Sequence, residues 1–411
     1  MALNDITFQK QNGGLGRTAP NADPVSGLLM ALNENFASSL EQFDETGGEE
    51  KIFVARMKYF EQLADQFGID ETEPEEDGAA ITDPVKVQKN AIVYHVREFF
   101  RMSPAGTLYL AVKTGETGKI KDEDIKALQY YAGGEIRQAG VFAATITDTD
   151  VADYQVACSQ LFNEHQPLSV IATHARGAHL EVDEFYRETA NRVLKDRSNV
   201  SILISRDLDP ELDNMLGDWA HYGCIGTVLG ALSSAMVHES IAWVQKFPLG
   251  LKVPGFITGE PVKKVTVATL DQINELRYLF VRTHIGNAGN YLNDSHTLDV
   301  GTSDYANIEN VRTMDKAIRG IRANLLPYLN APLYVDAQTG NLRSDMVAYL
   351  ETIAGSALED MERAGELSGY RVVIDPEQNV LATSELEIQI KNVPVGVMRK
   401  VKVKIGYTTK L

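Results

Sequence analysis

The sequence predicts an α/β fold: a mostly parallel or mixed sheet covered by helices, followed by a smaller α+β region, with extended strand-like segments at both chain ends. Three observations carry this. From Thr107 to Ser205, short apolar segments alternate with amphipathic ones of helical period, the texture of a parallel sheet covered on both faces. Two long helical patterns, Tyr305–Leu326 and Leu342–Arg363, then follow each other. From Tyr370 onward the period changes to two, the signature of strands with one packed face.

The elements follow in order. Residues 1–24 are expected to be extended, with Ile6 and Phe8 alternating before the glycines of QNGGLG. Ser26–Leu40 is expected to be a helix, as is Lys51–Phe67, whose apolar residues recur at helical spacing. Asp83-Pro84 opens a strong helix ending at Met102, since proline in the first turn gives up an N–H that would have no partner there. Strands are predicted at Thr107–Lys113, Gly140–Ile146, Leu168–Thr173, Asn199–Ser205 and Lys264–Leu270. Helices are predicted from Asp122, over Asp148–Asn163, Glu181–Asp196, Leu212–Tyr222, Ile225–Phe247 and Asp271–Val281. Gly223, Gly226 and Gly230 imply that a neighbouring element approaches the Ile225 helix closely. The last strands are Tyr370–Ile374, Ser384–Asn392 and Val397–Tyr407.

Composition excludes several classes. The 411 residues are 44% hydrophobic and 23% charged, an ordinary globular balance. The net charge of −18 argues against a protein that grips phosphate backbones, which needs clustered cations. With only Cys158 and Cys224, a disulfide framework is excluded. The start shows no basic segment leading into an apolar core, so no secretory signal is read, and Trp219–His238, although free of Asp, Glu, Lys and Arg, is too rich in Gly, Ser and His to be read as a membrane span. A soluble, intracellular chain is the expectation.

Charge is uneven. Glu41–Asp77 holds thirteen acids against three bases, whereas Lys391–Leu411 holds no acid and six bases. Just before that tail Leu386, Ile388 and Ile390 alternate with polar residues, and within it Val401, Val403 and Ile405 alternate with Lys400, Lys402 and Lys404. Each segment therefore has one apolar and one polar face. Two readings stand: a terminal hairpin on the chain's own sheet, its lysines guarding an edge, or a strand that completes the sheet of a neighbouring copy.

Catalytic motifs fail. In TGETGKI, the first glycine of a phosphate-binding loop would fall at Lys113, and Ile120 replaces the magnesium-binding hydroxyl. His174 and His179, with Glu181 and Glu184 nearby, follow a predicted strand end, where α/β enzymes often place sites, but their spacing is a weak metal signal. They support the alternative of a metal-assisted or nucleophilic α/β enzyme.

Four segments together resemble the contractile tail sheath proteins of phages and phage-tail-like injection systems, in particular the compact sheath-like group common in Bacteroidetes-type elements. They are AIVYHVREFFRMSPAGTLYLAV (Ala91–Val112), GCIGTVLGALSSAMVHESIAWVQKF (Gly223–Phe247), DYANIENVRTMDKAIRGIRANLLPYLNAP (Asp304–Pro332) and LEIQIKNVPVGVMRKVKVKIGY (Leu386–Tyr407). Val311-Arg312-Thr313 stands where that family usually carries a double arginine, and no large inserted outer domain is present. The resemblance implies an N-terminal arm over 1–24, a core over 25–284 of subtilisin-like fold without a triad, a C-terminal sheath-type domain over 285–383 and a β arm over 384–411. It further implies a helical homopolymer around an inner tube, with baseplate and tail-terminator proteins as partners. No cofactor, metal, nucleic acid or direct membrane insertion is implied. Assembly would occur in the bacterial cytoplasm, and the product would be part of a phage tail or tail-like particle. Subunits would be linked through Ile6 and Phe8 at one end and Leu386, Ile388, Ile390, Lys400, Val401, Lys402, Val403, Lys404 and Ile405 at the other. Another self-assembling tail or capsid-like component is the remaining alternative.

Overall fold

The computed structural model describes residues 23–32, 44–45, 51–69, 80–114, 118–144, 146–175, 182 and 196–408. Its centre is a seven-stranded sheet made of β1 (Val25–Leu32), β2 (Asp44–Glu45), β3 (Lys51–Met57), β4 (Thr107–Thr114), β5 (Gln138–Phe142), β6 (Val170–His174) and β7 (Val200–Leu203). The spatial order is β2-β3-β4-β1-β5-β6-β7. Strands β4, β1, β5, β6 and β7 run parallel, while β3 lies antiparallel on β4 and β2 antiparallel on β3.

Helices cover both faces. On one, α2 (Pro84–Met102) and α6 (Ile225–Ser234) pack over Leu28, Met30, Leu32 and Leu110. On the other, α3 (Asp122–Tyr131) and α4 (Asp148–Asn163) pack over Leu29, Ala31, Val141 and Ile171. α6 lies so close to α2 that a Cβ on Gly226 would sit 2.1 Å from the His95 carbonyl oxygen, and one on Gly230 would sit 2.7 Å from that of Phe99. The glycines therefore do what their spacing implied.

Several expectations need correction, and most share one cause. Ser26–Leu40, expected as a helix, begins instead as β1, buried along its whole length. A central parallel strand is apolar on both faces, so its residues match a helical stripe as easily as a strand. The same holds for Lys51–Phe67. Phe53, Ala55 and Met57 enter one core layer and Ile52 and Val54 the other, and only α1 (Gln62–Phe67) is helical. The expected strand Lys264–Leu270 is a short 3₁₀ turn followed by α7 (Val267–Glu275), started by the Thr266 hydroxyl, which accepts from the Thr269 N–H at 3.2 Å. That helix ends before Val281, which opens β10 (Val281–His284), paired with β11 (Asn287–Leu292). The long helix expected to reach Phe247 stops at Ser234, and buried Arg312 donates to the Ala235 and Met236 carbonyls just beyond it. Leu212–Tyr222 is divided between α5 (Pro210–Leu216) and a 3₁₀ turn. A further short pair joins β8 (Ser205–Asp207) to β9 (Pro254–Phe256). The helix expected over Glu181–Asp196 lies almost wholly outside the described residues.

The C-terminal region follows its pattern as far as β13, whereas the strand expected over Val397–Tyr407 is not formed. α8 (Ile308–Leu325) and α9 (Ser344–Arg363) pack together, and a Cβ on Gly320 would lie 2.7 Å from that of Ala357. Against them lies a two-stranded antiparallel sheet of β12 (Leu367–Val373) and β13 (Gln389–Pro394), with a one-turn helix α10 (Val380–Thr383) between the strands.

Candidate assembly interface

The chain's last segment divides into two parts with opposite surroundings. Strand β13 pairs with β12 in register Val372 to Ile390 and Tyr370 to Asn392. Ile390 packs on the cluster of Ala317, Leu358, Met361 and Leu367. Leu386 and Ile388, just upstream, pack on Leu342, Leu350 and Ile374. This half is part of the chain's own domain.

The second half behaves differently. Val401–Ile405 does not fold back onto β13 across Pro394 and Gly396, and Lys400–Tyr407 pairs with no strand among the described residues. Val401, Val403 and Ile405 are 65%, 78% and 95% exposed. Lys400, Lys402 and Lys404 are exposed too. Among the described residues, an apolar face at strand period is thus left uncovered. The two-stranded sheet in turn has an edge on each strand that carries no further strand among the described residues.

The bare segment leaves from a fixed point. The Arg399 Nε donates to Asp294 at 2.9 Å, and its Nη2 pairs with Glu309, the second residue of α8. The Glu309 side chain is only 2% exposed and also accepts from the Ser295 hydroxyl at 2.5 Å. Burial works against the Arg399 charge, but Glu309 and Asp294 outweigh it and raise the guanidinium pKa above its ordinary value. Sequence reading missed this clasp because both acids lie far from the acidic run. The end of that run, Asp70–Asp77, and the residues Ile6 and Phe8 lie outside the described residues.

Of the residues behind the enzyme alternative, only His174 lies among the described residues. His174 is buried in an aromatic core with Phe142 and Tyr222, and its Nε2 accepts the Ala143 N–H at 3.3 Å. Burial lowers its pKa to about 3, and that of neighbouring His95 likewise. His95 Nδ1 accepts the Gly226 N–H at 3.2 Å, so both rings are packing groups. His179, Glu181 and Glu184 lie outside the described residues. Among the described residues no group of three or more His, Cys, Asp or Glu side chains is placed to hold a metal ion, and no helix is long and apolar enough to cross a membrane. Cys158 and Cys224 are buried thiols whose pKa values burial raises.

Comparison with known proteins then places the fold. The family model described as DUF2586, N-terminal domain, matches residues 3–296, and that described as DUF2586, C-terminal domain, matches residues 304–411. The chain belongs to the DUF2586 family. No match is found among curated proteins. Among solved structures, a chain of the anti-feeding prophage baseplate is similar over 100% of both chains at 13% identity, with a TM-score of 0.61. A chain of the sheath complex of an extracellular contractile injection system, in its contracted state, is similar over 100% of this chain and 99% of its own length at 12% identity, with a TM-score of 0.62. The sheath tail protein of Listeria innocua is similar over 92% of this chain and 96% of its own at 9% identity, with a TM-score of 0.51. The fold is that of contractile tail sheath proteins.

Proposed function

We propose that this DUF2586 chain is a non-enzymatic structural protomer of a contractile tail sheath, and that its segment Lys400–Tyr407 completes the sheet of a neighbouring copy. The observation that carries the reading is the bare apolar face of Val401, Val403 and Ile405 in a chain that also has a two-stranded sheet with no further strand on its edges among the described residues. An exposed strand offers a row of main-chain donors and acceptors, and a sheet edge offers the matching row. Because donor and acceptor lie on different surfaces of the protomer, the contact is heterologous, and a rotation that does not close generates a helical array. The similarity in fold to sheath proteins of injection systems supports the same reading.

Such linkage suits contraction without nucleotide. Protomers move as rigid bodies between two packings while the strands keep them joined. A gain of about 1–3 kcal/mol per subunit, the size of an ordinary coupling energy, accumulates along the whole sheath. The inner tube, baseplate and tail-terminator proteins are the expected partners, and assembly in the bacterial cytoplasm as part of a phage tail or tail-like particle the expected setting. In this reading Ile6 and Phe8 belong to a second linking arm over residues 1–24, while Leu386, Ile388 and Ile390 seat the root of the first.

Electron microscopy of the purified protein tests the proposal. Striated tubes or stacked rings are expected. A chain that stays monomeric at every concentration and salt condition, alone and with a tube protein, overturns it.

A further inference from the structure

The outer face of the β12–β13 sheet carries an arrangement that weakens the free protomer. Tyr370, Val372 and Ile390 pack on the cluster between α8 and α9, so the alternate residues of both strands face away from it. On that outer face Arg371 stands directly opposite Lys391 in the register, and both are exposed. Like charges so placed repel across about 5 Å and destabilise an antiparallel pair. Among the described residues neither cation has an acidic partner, and neither strand contains an acid. Val373 and Val393 flank the pair, 37% and 56% exposed. Two unneutralised cations therefore sit between bare apolar side chains.

Helices α3 and α4 carry the complementary pattern. Lys126 Nζ donates to Gln160 at 2.8 Å and the Tyr130 hydroxyl donates to Glu164 at 2.7 Å, both across 34 residues, so the helices run side by side in one direction. That offset sets exposed Glu123 nearly level with Val156, itself 47% exposed, while exposed Asp153 lies one turn before it. Neither acid has a cationic partner among the described residues.

We propose that these two faces dock between copies of the chain, Arg371 and Lys391 of one protomer against Glu123 and Asp153 of the next, with Val373 and Val393 meeting Val156. The inference rests on the assembly reading and adds a second contact to it, since the exchanged strand takes an edge of the β12–β13 sheet whereas this contact uses its face. Charge selects the occupant. A phosphate backbone is gripped by many clustered cations, but here two stand among valines on a chain of net charge −18, and the copies themselves supply the acids. Acids laid over Arg371 and Lys391 relieve the repulsion between them, so the strain of the free protomer disappears in the assembly. The two faces differ, so the contact is heterologous and can propagate.

Disulfide trapping in the full-length chain tests this while leaving all four charges in place. Chains carrying Val393→Cys are mixed with chains carrying Val156→Cys at low salt and oxidised, and non-reducing gels report the product. The native thiols are buried and do not compete. A species of twice the protomer mass is expected from the mixture and from neither chain alone. Adding Arg371→Glu and Lys391→Glu to the first chain should lower its yield at least tenfold, and adding Glu123→Lys and Asp153→Lys to the second should then restore at least half. Arg371→Glu by itself should leave the protomer melting no lower than the native chain, because it turns a like pair into an opposite one. No cross-link from the native-charge mixture, a yield indifferent to the reversal, or a loss that the partner's reversal does not restore overturns the contact. Tubes without the cross-link would sink this inference and spare the assembly reading, and the cross-link without tubes would do the converse.

Discussion

The two halves of the C-terminal segment have the same chemistry on paper and opposite fates in space. Leu386, Ile388 and Ile390 alternate with polar residues and are seated on the chain's own helices. Val401, Val403 and Ile405 alternate with lysines and are bare. A period of two says that a strand has an apolar face, but nothing about which molecule supplies the surface opposite it. The difference lies in what surrounds each half. The first half follows β12 closely enough to pair with it, whereas the second starts beyond a clasp at Arg399 that turns it away.

The largest effect that separates the halves comes from truncation. Removing Lys400–Leu411 should leave the melting temperature unchanged and reduce tube yield at least a hundredfold by electron microscopy. Removing Ser384–Leu411 should instead lower the melting temperature as well, because β13 and the contacts of Leu386 and Ile388 go with it. Equal melting temperatures for both truncations would mean that β13 contributes nothing to its own domain.

Acid should attack the body and spare the arm. His95 and His174 hold pKa values of about 3 in the fold through burial, against an ordinary value of 6.5. Below pH 6.5 the unfolded chain takes up protons that the fold refuses, so stability falls as pH drops from about 6.5 towards 3. Each histidine contributes a slope of up to about 1.4 kcal/mol per pH unit. Denaturant melts at pH 7 and pH 5 check this. His174→Gln should flatten the slope, and an unchanged slope in that variant would remove His174 from the account.

Point substitutions sharpen the contrast further. Ile390→Ala should cost the protomer about 1–2 kcal/mol, the expected size for trimming a half-buried side chain. Ile405→Ala should cost it nothing measurable and yet weaken assembly. The smallest effect is expected from charge. Lys400, Lys402 and Lys404 changed together to Glu should reduce assembly several-fold at low salt, and the loss should shrink above about 0.5 M, where screening is short-ranged. Indifference at low salt would mean that the lysines face water in the polymer.

Much of the architecture was legible in the residues. The parallel core was readable because amphipathic helices such as Pro84–Met102 carry caps and one-sided patterns, and Asp83-Pro84 marks its start chemically. β1 and β3 were not, because a strand buried on both faces has no polar side to betray its period. The early stop of the Ile225 helix depends on Arg312, which lies 77 positions from Ala235, and no local pattern carries that information. The candidate interface divides similarly. Both alternating segments were visible, whereas the Arg399 clasp needs Asp294 and Glu309 brought together by folding. The histidine pair read as a weak metal signal is a core residue at His174, which a strand-end position does not distinguish from a ligand.

The central claim is that the exposed segment Lys400–Tyr407 pairs with another molecule. A cryo-electron microscopy map of the assembled protein tests it most directly. The account predicts Val401–Tyr407 hydrogen-bonded along an edge of the β12–β13 sheet of an adjacent subunit, with Val401, Val403 and Ile405 covered. Density showing that segment folded onto its own subunit, with no strand crossing between neighbours, would contradict it.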